Sequence, residues 1–164
     1  MRTRSAAGLL ALVAIALSGC ASTVTLDAAE NAADPACAEV IVALRNVPTV
    51  AGLEIRETDA QGTAAWGEPA AVLLTCGVPV PPPTSEVPCV TEPGSGIDWL
   101  RDDSDAPRFR FTTYGREPAI EVYVDNDAET GVSGTSALAD LGNAVGLIEQ
   151  TGRCLSLDDA ENAG

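Results

Sequence analysis

The sequence has neither histidine nor lysine, so all nine of its basic residues are arginine. Without histidine, neither a Ser-His-Asp nor a Cys-His catalytic site can form. A zinc site is also disfavoured, because no Cys-x-x-C pair and no histidine are present to complete a ligand set. The sequence therefore contains no recognisable catalytic constellation, suggests no cofactor or metal, and favours a non-catalytic protein.

Positive charge is scarce as well, with 24 acidic residues giving a net charge of −15. A chain this acidic is a poor ligand for nucleic acid and for anionic lipid surfaces, since both are negatively charged. We therefore expect no nucleic-acid partner. Any membrane contact should come from something other than the protein surface.

The N-terminus supplies such a contact. Arg2 and Arg4 precede the apolar run Leu9–Leu17, which is too short to span a bilayer, and Leu17-Ser18-Gly19-Cys20 has the form of a bacterial lipobox. We predict a signal peptide over residues 1–19 and a lipidated Cys20, which carries palmitate-type acyl chains on the extracytoplasmic face of the cell membrane. Secretion without lipid, leaving a spare thiol, is the alternative. Signal removal takes the net charge to −17.

The cysteine count agrees with lipidation. Five cysteines are an odd number for a secreted protein, and a lipid on Cys20 leaves four that can pair. Three connectivities are possible, and we favour Cys37–Cys154 and Cys76–Cys89. The first would join an N-terminal helix to the end of a C-terminal one, and the second would staple the proline-rich loop.

Composition divides the mature chain into three parts. Residues 20–34 are small and polar and predict a flexible tether, residues 35–155 form a single domain, and residues 156–164 are an acidic disordered tail. Asp34 and Pro35 are typical of a helix start, and the apolar stripe from Cys37 to Leu44 follows with helical spacing. A second helix is predicted over about 136–150.

Between the helices lie five segments with the alternation or apolar runs of β-strands. They are Leu53–Thr58, Ala71–Cys76, Ile97–Leu100, Arg108–Thr112 and Ile120–Val124. Arg110 and Arg108 should face Glu121 across a hairpin. The pattern predicts an α+β fold with a small antiparallel sheet of about five strands, one N-terminal and one C-terminal helix, and disulfide staples.

Two predicted loops, residues 61–67 and 112–116, contain Trp66 and Tyr114, which are noticeable because aromatic residues make up only 4% of the chain. If these loops converge, they could bind a peptide, a sugar or an envelope partner; alternatively, the aromatic residues cap the small core. The candidate binding residues are Gln61, Thr63, Trp66, Thr113, Tyr114 and Arg116.

Acidic residues near the end of the strand region offer a second candidate site, for a calcium ion. Asp125, Asp127 and Glu129 begin like a calcium loop, but Thr130 and Ser136 occupy positions that need glycine and glutamate, so solvated turns are favoured.

The leading hypothesis is a membrane-anchored lipoprotein that acts as a non-catalytic binding or assembly module, with an envelope-protein or cell-wall partner. The alternative is a cell-wall glycan hydrolase that uses two carboxylates.

Several segments, in order, resemble an actinobacterial secreted or lipoprotein family called "domain of unknown function 3515". The resemblance covers most of residues 34–155 and implies an anchored or secreted protein without an assigned activity, cofactor or catalytic residue. The segments are Asp34–Cys37, Gln61–Gly67, Leu74–Pro79, Phe111–Arg116 and Arg153–Leu155.

Overall fold

The computed structural model describes residues 22–127 and 129–154. In this part of the chain two helices flank eight strands, which form one antiparallel sheet in the order β1-β2-β3-β4-β8-β7-β6-β5. The elements are α1 (Pro35–Leu44), β1 (Thr49–Val50), β2 (Leu53–Arg56), β3 (Thr63–Trp66), β4 (Val72–Val78), β5 (Cys89–Thr91), β6 (Asp98–Asp105), β7 (Arg108–Thr113), β8 (Ala119–Asp125) and α2 (Gly134–Val145).

The prediction of about five strands is wrong, because the sheet has eight. The five predicted segments all contribute strands, and β1, β3 and β5 are additional. β3 is buried at all four positions, so it lacks the alternation that marks a half-exposed strand. β1 and β5 are only two and three residues long. The predicted α+β order, with a helix before and after the strands and two disulfides, agrees with the structure.

Helix α1 begins as its sequence predicts. The Asp34 side chain accepts a hydrogen bond from the Ala36 amide at 2.8 Å, which satisfies one of the free N–H groups of the first turn. Cys37, Val40 and Leu44 lie on the buried stripe. Burial of each large aliphatic side chain contributes about 1.5–3 kcal/mol, so this face fixes the helix on the sheet.

Helix α2 is shorter than predicted and begins two residues earlier, after the N-cap Ser133. The predicted apolar seam of Leu138, Leu141, Val145 and Ile148 is buried, although Ile148 lies beyond the helix end. Both helices contribute to one hydrophobic cluster with Trp66, Leu74 and Val122 of the sheet, among others. The helices therefore cover one face of the sheet.

Residues 22–34, predicted as a tether, contact the sheet. Val24 pairs with the chain near Thr58, and its amide donates to Glu57 O at 2.8 Å. Ala32 is buried. The predicted signal peptide, Cys20 and the acidic tail lie outside the described residues. Within 22–127 and 129–154, no helix has the length and apolar character needed to cross a membrane.

Candidate functional site

All four described cysteines are in disulfides, but the favoured pairing is wrong. The bonds are Cys37–Cys76 and Cys89–Cys154, with Cα–Cα distances of 5.6 and 5.8 Å. Sheet order explains the difference, because β4 and β5 are separated by four strand intervals, or about 19 Å at 4.8 Å each. Cys76 instead faces α1 from the core side of β4, where the buried stripe of α1 presents Cys37.

The predicted binding loops do not bring Trp66 and Tyr114 together. Trp66 is fully buried in the core, and its indole N–H donates to Val47 O at 3.4 Å. Across the sheet, Trp66 is in register with Val72, Val124 and Phe109, whereas Tyr114 lies beyond the opposite end of β7. Trp66 therefore packs in the core at the other end of the sheet from Tyr114.

Two of the predicted residues are threonines that bond within the fold. The buried Thr63 hydroxyl lies 2.6 Å from Ala60 O, to which it donates, and the Thr113 hydroxyl accepts from the Ile120 amide at 2.9 Å. Gln61 is exposed in the turn before β3. The turn that contains Gln61 and the end of β7 lie at the same end of the sheet, but β4 and β8 lie between them.

Arg116 is buried beside the chain that follows α2, and its guanidinium donates to Ile148 O. Burial lowers the pKa of this guanidinium, while the charge of Asp98 raises it. Asp98 is itself buried and accepts hydrogen bonds from the Thr91 hydroxyl at 2.6 Å, the Gln150 amide at 3.1 Å and the Cys154 backbone N–H at 2.9 Å. Arg116 and Asp98 thus hold residues 148–154, which we call the C-terminal segment.

Tyr114 is half-buried and lines a groove beside the Cys89–Cys154 bond. We call this groove the disulfide groove, and its volume is about 570 Å³. One wall comes from the proline-rich loop before β5 and another from the C-terminal segment. The other lining residues are Pro83, Thr84, Ser85, Val87, Pro88, Leu100 and Arg153.

A second depression, the α2 cavity, lies between β5–β7 and the start of α2. Its volume is about 320 Å³, which is within the range of small-molecule sites. Its apolar lining includes Val90, Phe109, Phe111 and Leu138, and its polar lining includes Glu92, Arg101, Asn126, Ser133 and Thr135. Sequence reasoning missed this cavity.

A cation lies over one of the two aromatic rings of the α2 cavity. The Arg101 guanidinium carbon lies 5.0 Å from the Phe109 ring centroid, and the Phe109 and Phe111 centroids are 6.4 Å apart. Arg101 also pairs with Asp103 at 3.4 Å. A cation–aromatic contact of this kind contributes about 0.5–1 kcal/mol at an exposed site, so it favours this placement of the Phe109 ring.

The carboxylate at this cavity is already bound by protein donors. Glu92 accepts from the Ser95 hydroxyl at 2.6 Å, the Ser95 amide at 2.6 Å and the Gly94 amide at 2.9 Å. The Ser95 hydroxyl bond, followed by the two amide bonds, lowers the pKa of Glu92 below its ordinary value. Glu92 is therefore ionised at neutral pH and is a poor proton donor.

The acidic turn after β8 is held by its own backbone. The Asp127 amide donates to Asp125 Oδ1 at 3.2 Å, and the Glu129 amide donates to Asp127 Oδ1 at 2.8 Å. The Thr130 hydroxyl donates to carbonyls of the same turn. In the described part of the chain, no group of three or more His, Cys, Asp or Glu side chains is placed to hold a metal ion.

The fold and these depressions define a small, disulfide-bonded α+β domain with one helical face and a preformed cavity. The chain belongs to the family described as "Protein of unknown function (DUF3515)", whose model matches residues 6–152. No curated protein and no solved structure matches it.

Proposed function

We propose that this protein is a lipid-anchored, extracytoplasmic lipoprotein of the cell envelope whose domain is a non-catalytic binding module. The α2 cavity carries the proposal, because a preformed depression of about 320 Å³ joins an aromatic floor to polar groups. Sites for small molecules or for a partner's side chain are commonly built this way, with apolar surface for affinity and a few polar groups for orientation.

Two further observations support a lipid-anchored, extracytoplasmic location. The lipobox Leu17–Cys20 follows a signal-type apolar run, and the family match, over residues 6–152, includes it. The other four cysteines pair with one another, so Cys20 is the fifth and is available for lipid. Two disulfides in so small a domain are typical of proteins that fold outside the reducing cytosol.

Binding is preferred to glycan hydrolysis because of the carboxylates. A glycosidase needs one carboxylic acid that keeps its proton near neutral pH, which requires a raised pKa. At the α2 cavity the pKa of Glu92 is lowered, and among the described residues the pKa values of Asp59 and Asp102 also shift downward. No observation on residues 22–127 and 129–154 favours the hydrolase.

The anchor is tested by replacing Cys20. We expect the wild-type protein to incorporate labelled palmitate and to sediment with membranes, and Cys20→Ser to do neither while keeping both disulfides. A Cys20→Ser protein that still carries the label would contradict lipidation at this residue.

Binding is tested by crosslinking in cells and recovery of the anchored protein. Thr135→Trp places a large side chain at the exposed rim of the α2 cavity, and Asn143→Trp is the matched control, also exposed on α2 but outside the cavity lining. We expect one defined envelope partner or cell-wall fragment with the wild type and Asn143→Trp, and its loss with Thr135→Trp. Recovery of bulk membrane protein alone from all three would argue against a binding module.

A further inference from the structure

The two disulfides differ sharply in exposure. Cys37 and Cys76 have no exposed surface, whereas Cys89 and Cys154 are both half-buried. Cys89 and Cys154 also line the disulfide groove, which is open to solvent. Thiol–disulfide exchange requires a thiolate to reach a sulfur atom, so access separates a reactive bond from an inert one.

The disulfide groove has the form of an entry path. At about 570 Å³ it is large enough to admit an extended peptide side chain, and Val87, Leu100 and Tyr114 give it apolar walls. Arg153 lies in the lining next to Cys154. The buried Asp98 carboxylate, which accepts from the Cys154 amide at 2.9 Å, opposes the positive charge of Arg153, so access and not local charge makes this bond the reactive one.

Beyond Ile148, the C-terminal segment is attached by the Cys89–Cys154 bond together with hydrogen bonds, and not by buried side chains. None of residues 149–154 is buried, so the chain after Ile148 is not held by packing into the core. It is held by the disulfide and by hydrogen bonds, such as those from Thr151 N–H to Gly115 O and from Cys154 N–H to Asp98. Segments with few buried contacts open at low free-energy cost once a crosslink is removed.

We propose that Cys89–Cys154 is a thiol–disulfide exchange site that a dithiol reductant opens selectively, releasing residues 149–154 from Gly115 and Asp98. This inference goes beyond the binding function and does not depend on it. One reductant thiolate attacks a cysteine sulfur and forms a mixed disulfide, and the other cysteine leaves as a thiolate and takes up a proton. The second reductant thiol then displaces the first cysteine. The protein gains two electrons and two protons, and the reductant is oxidised to a disulfide.

The experiment titrates the full-length oxidised protein with dithiothreitol under native conditions, followed by alkylation and peptide mass spectrometry. We expect Cys89 and Cys154 to be alkylated at a dithiothreitol concentration at least tenfold lower than Cys37 and Cys76 require. Reduction of both bonds together, or of Cys37–Cys76 first, would overturn the proposal.

Hydrogen exchange on the partly reduced protein tests the release. We expect the Thr151, Gly152 and Cys154 amides to lose protection, while the Cys76 amide, which donates to Gly62 O at 2.8 Å, keeps it. Unchanged protection at Thr151 and Cys154 would show that the segment stays in place, which contradicts the proposal. The double variant Cys89→Ala/Cys154→Ala should match the reduced protein, and Cys37→Ala/Cys76→Ala should keep the Thr151 amide protected.

Discussion

Asn31 and Gly77 are bonded through their backbones, with the Asn31 amide donating to Gly77 O at 3.0 Å. The α-carbon of Gly77 lies so close to the Asn31 carbonyl that a Cβ added there would overlap it. Gly77 also has a φ of +95°, which residues with side chains rarely adopt. This contact fixes the chain before α1 against the end of β4, where Cys76 makes its disulfide.

Gly77→Ala should therefore destabilise the domain by about 3 kcal/mol, since a strained φ and an overpacked backbone contact both contribute. Gly96→Ala is the matched control, because Gly96 has a φ of +70° but nothing within 4 Å of the added Cβ. Its cost should be limited to about 1–2 kcal/mol of left-handed strain. Urea unfolding measures both, and equal losses would show that the contact with Asn31 contributes nothing.

Removal of the two disulfides should give unequal losses of stability. The Cys37–Cys76 and Cys89–Cys154 bonds span 39 and 65 residues, and chain entropy alone gives each about 4 kcal/mol. Cys37→Ala/Cys76→Ala should cost more, despite its shorter loop, because it also leaves a void in the core where both side chains are fully buried. Thermal unfolding of the two double variants tests this order, and a greater loss for Cys89→Ala/Cys154→Ala would refute it.

The sequence predicts those parts of the fold whose signals are local. Asp34 caps α1 as expected, and the alternation of Arg110 and Phe111 assigns the two faces of β7 correctly. The predicted cross-strand pair also forms, with Arg110 Nη1 3.1 Å from Glu121 Oε1. Arg108 instead pairs with Asp105 and Asp125, which the sequence does not indicate.

Strand order is not a local property, and the wrong disulfide pairing follows from that. The favoured Cys76–Cys89 bond assumes that neighbours along the chain are neighbours in space, yet β8, β7 and β6 lie between their strands. The α2 cavity was missed for the same reason. Arg101 reaches Phe109 only because β6 pairs with β7, a register that no single segment encodes.

Glu92 should make the stability of the domain depend on acid pH. Its folded-state pKa lies below the ordinary value of 4.5, so its contribution is fully present above pH 4.5 and is lost as the pH falls through the folded pKa. We expect the wild type to be more stable than Glu92→Gln at pH 7, and the difference to shrink as the pH falls below 4.5. Urea unfolding across this range measures it.

Ser95→Ala is the control for that prediction, because the Ser95 hydroxyl makes the largest contribution to the lowered pKa. In the Ser95→Ala background, adding Glu92→Gln should change the free energy of unfolding by less at pH 7 than it does in the wild type. This change should also vary less with pH. A wild-type difference that stays constant from pH 7 into acid would contradict the pKa argument.

Replacing Arg56 with lysine should destabilise the domain. Its guanidinium is nearly buried and donates to Gly67 O at 2.8 Å and to Ser22 O at 2.5 Å, and it pairs with Glu68 at 2.6 Å. A lysine ammonium lacks the planar fork that reaches these separate acceptors, so Arg56→Lys should cost about 1–3 kcal/mol. Hydrogen exchange should also become faster at Val24.

The exposed Arg45, at the end of α1, supplies the comparison. Arg45→Lys should change the free energy of unfolding by less than about 0.5 kcal/mol, as expected for a surface substitution. Equal effects at the two positions would show that the bonds of Arg56 do not hold residues 22–24 in place.

The contact of Arg56 with Ser22 bears on how the domain would be presented if Cys20 carries the proposed lipid. Ser22 lies at β2, near one edge of the sheet, while Cys89 lies on β5 at the other edge, six strand intervals or roughly 29 Å along the sheet. A lipid on Cys20, two residues before Ser22, would keep the β2 side of the sheet nearer the bilayer than the β5 side. The Cys89–Cys154 bond would then point away from the membrane, where a diffusing thiol carrier could reach it without approaching the lipid.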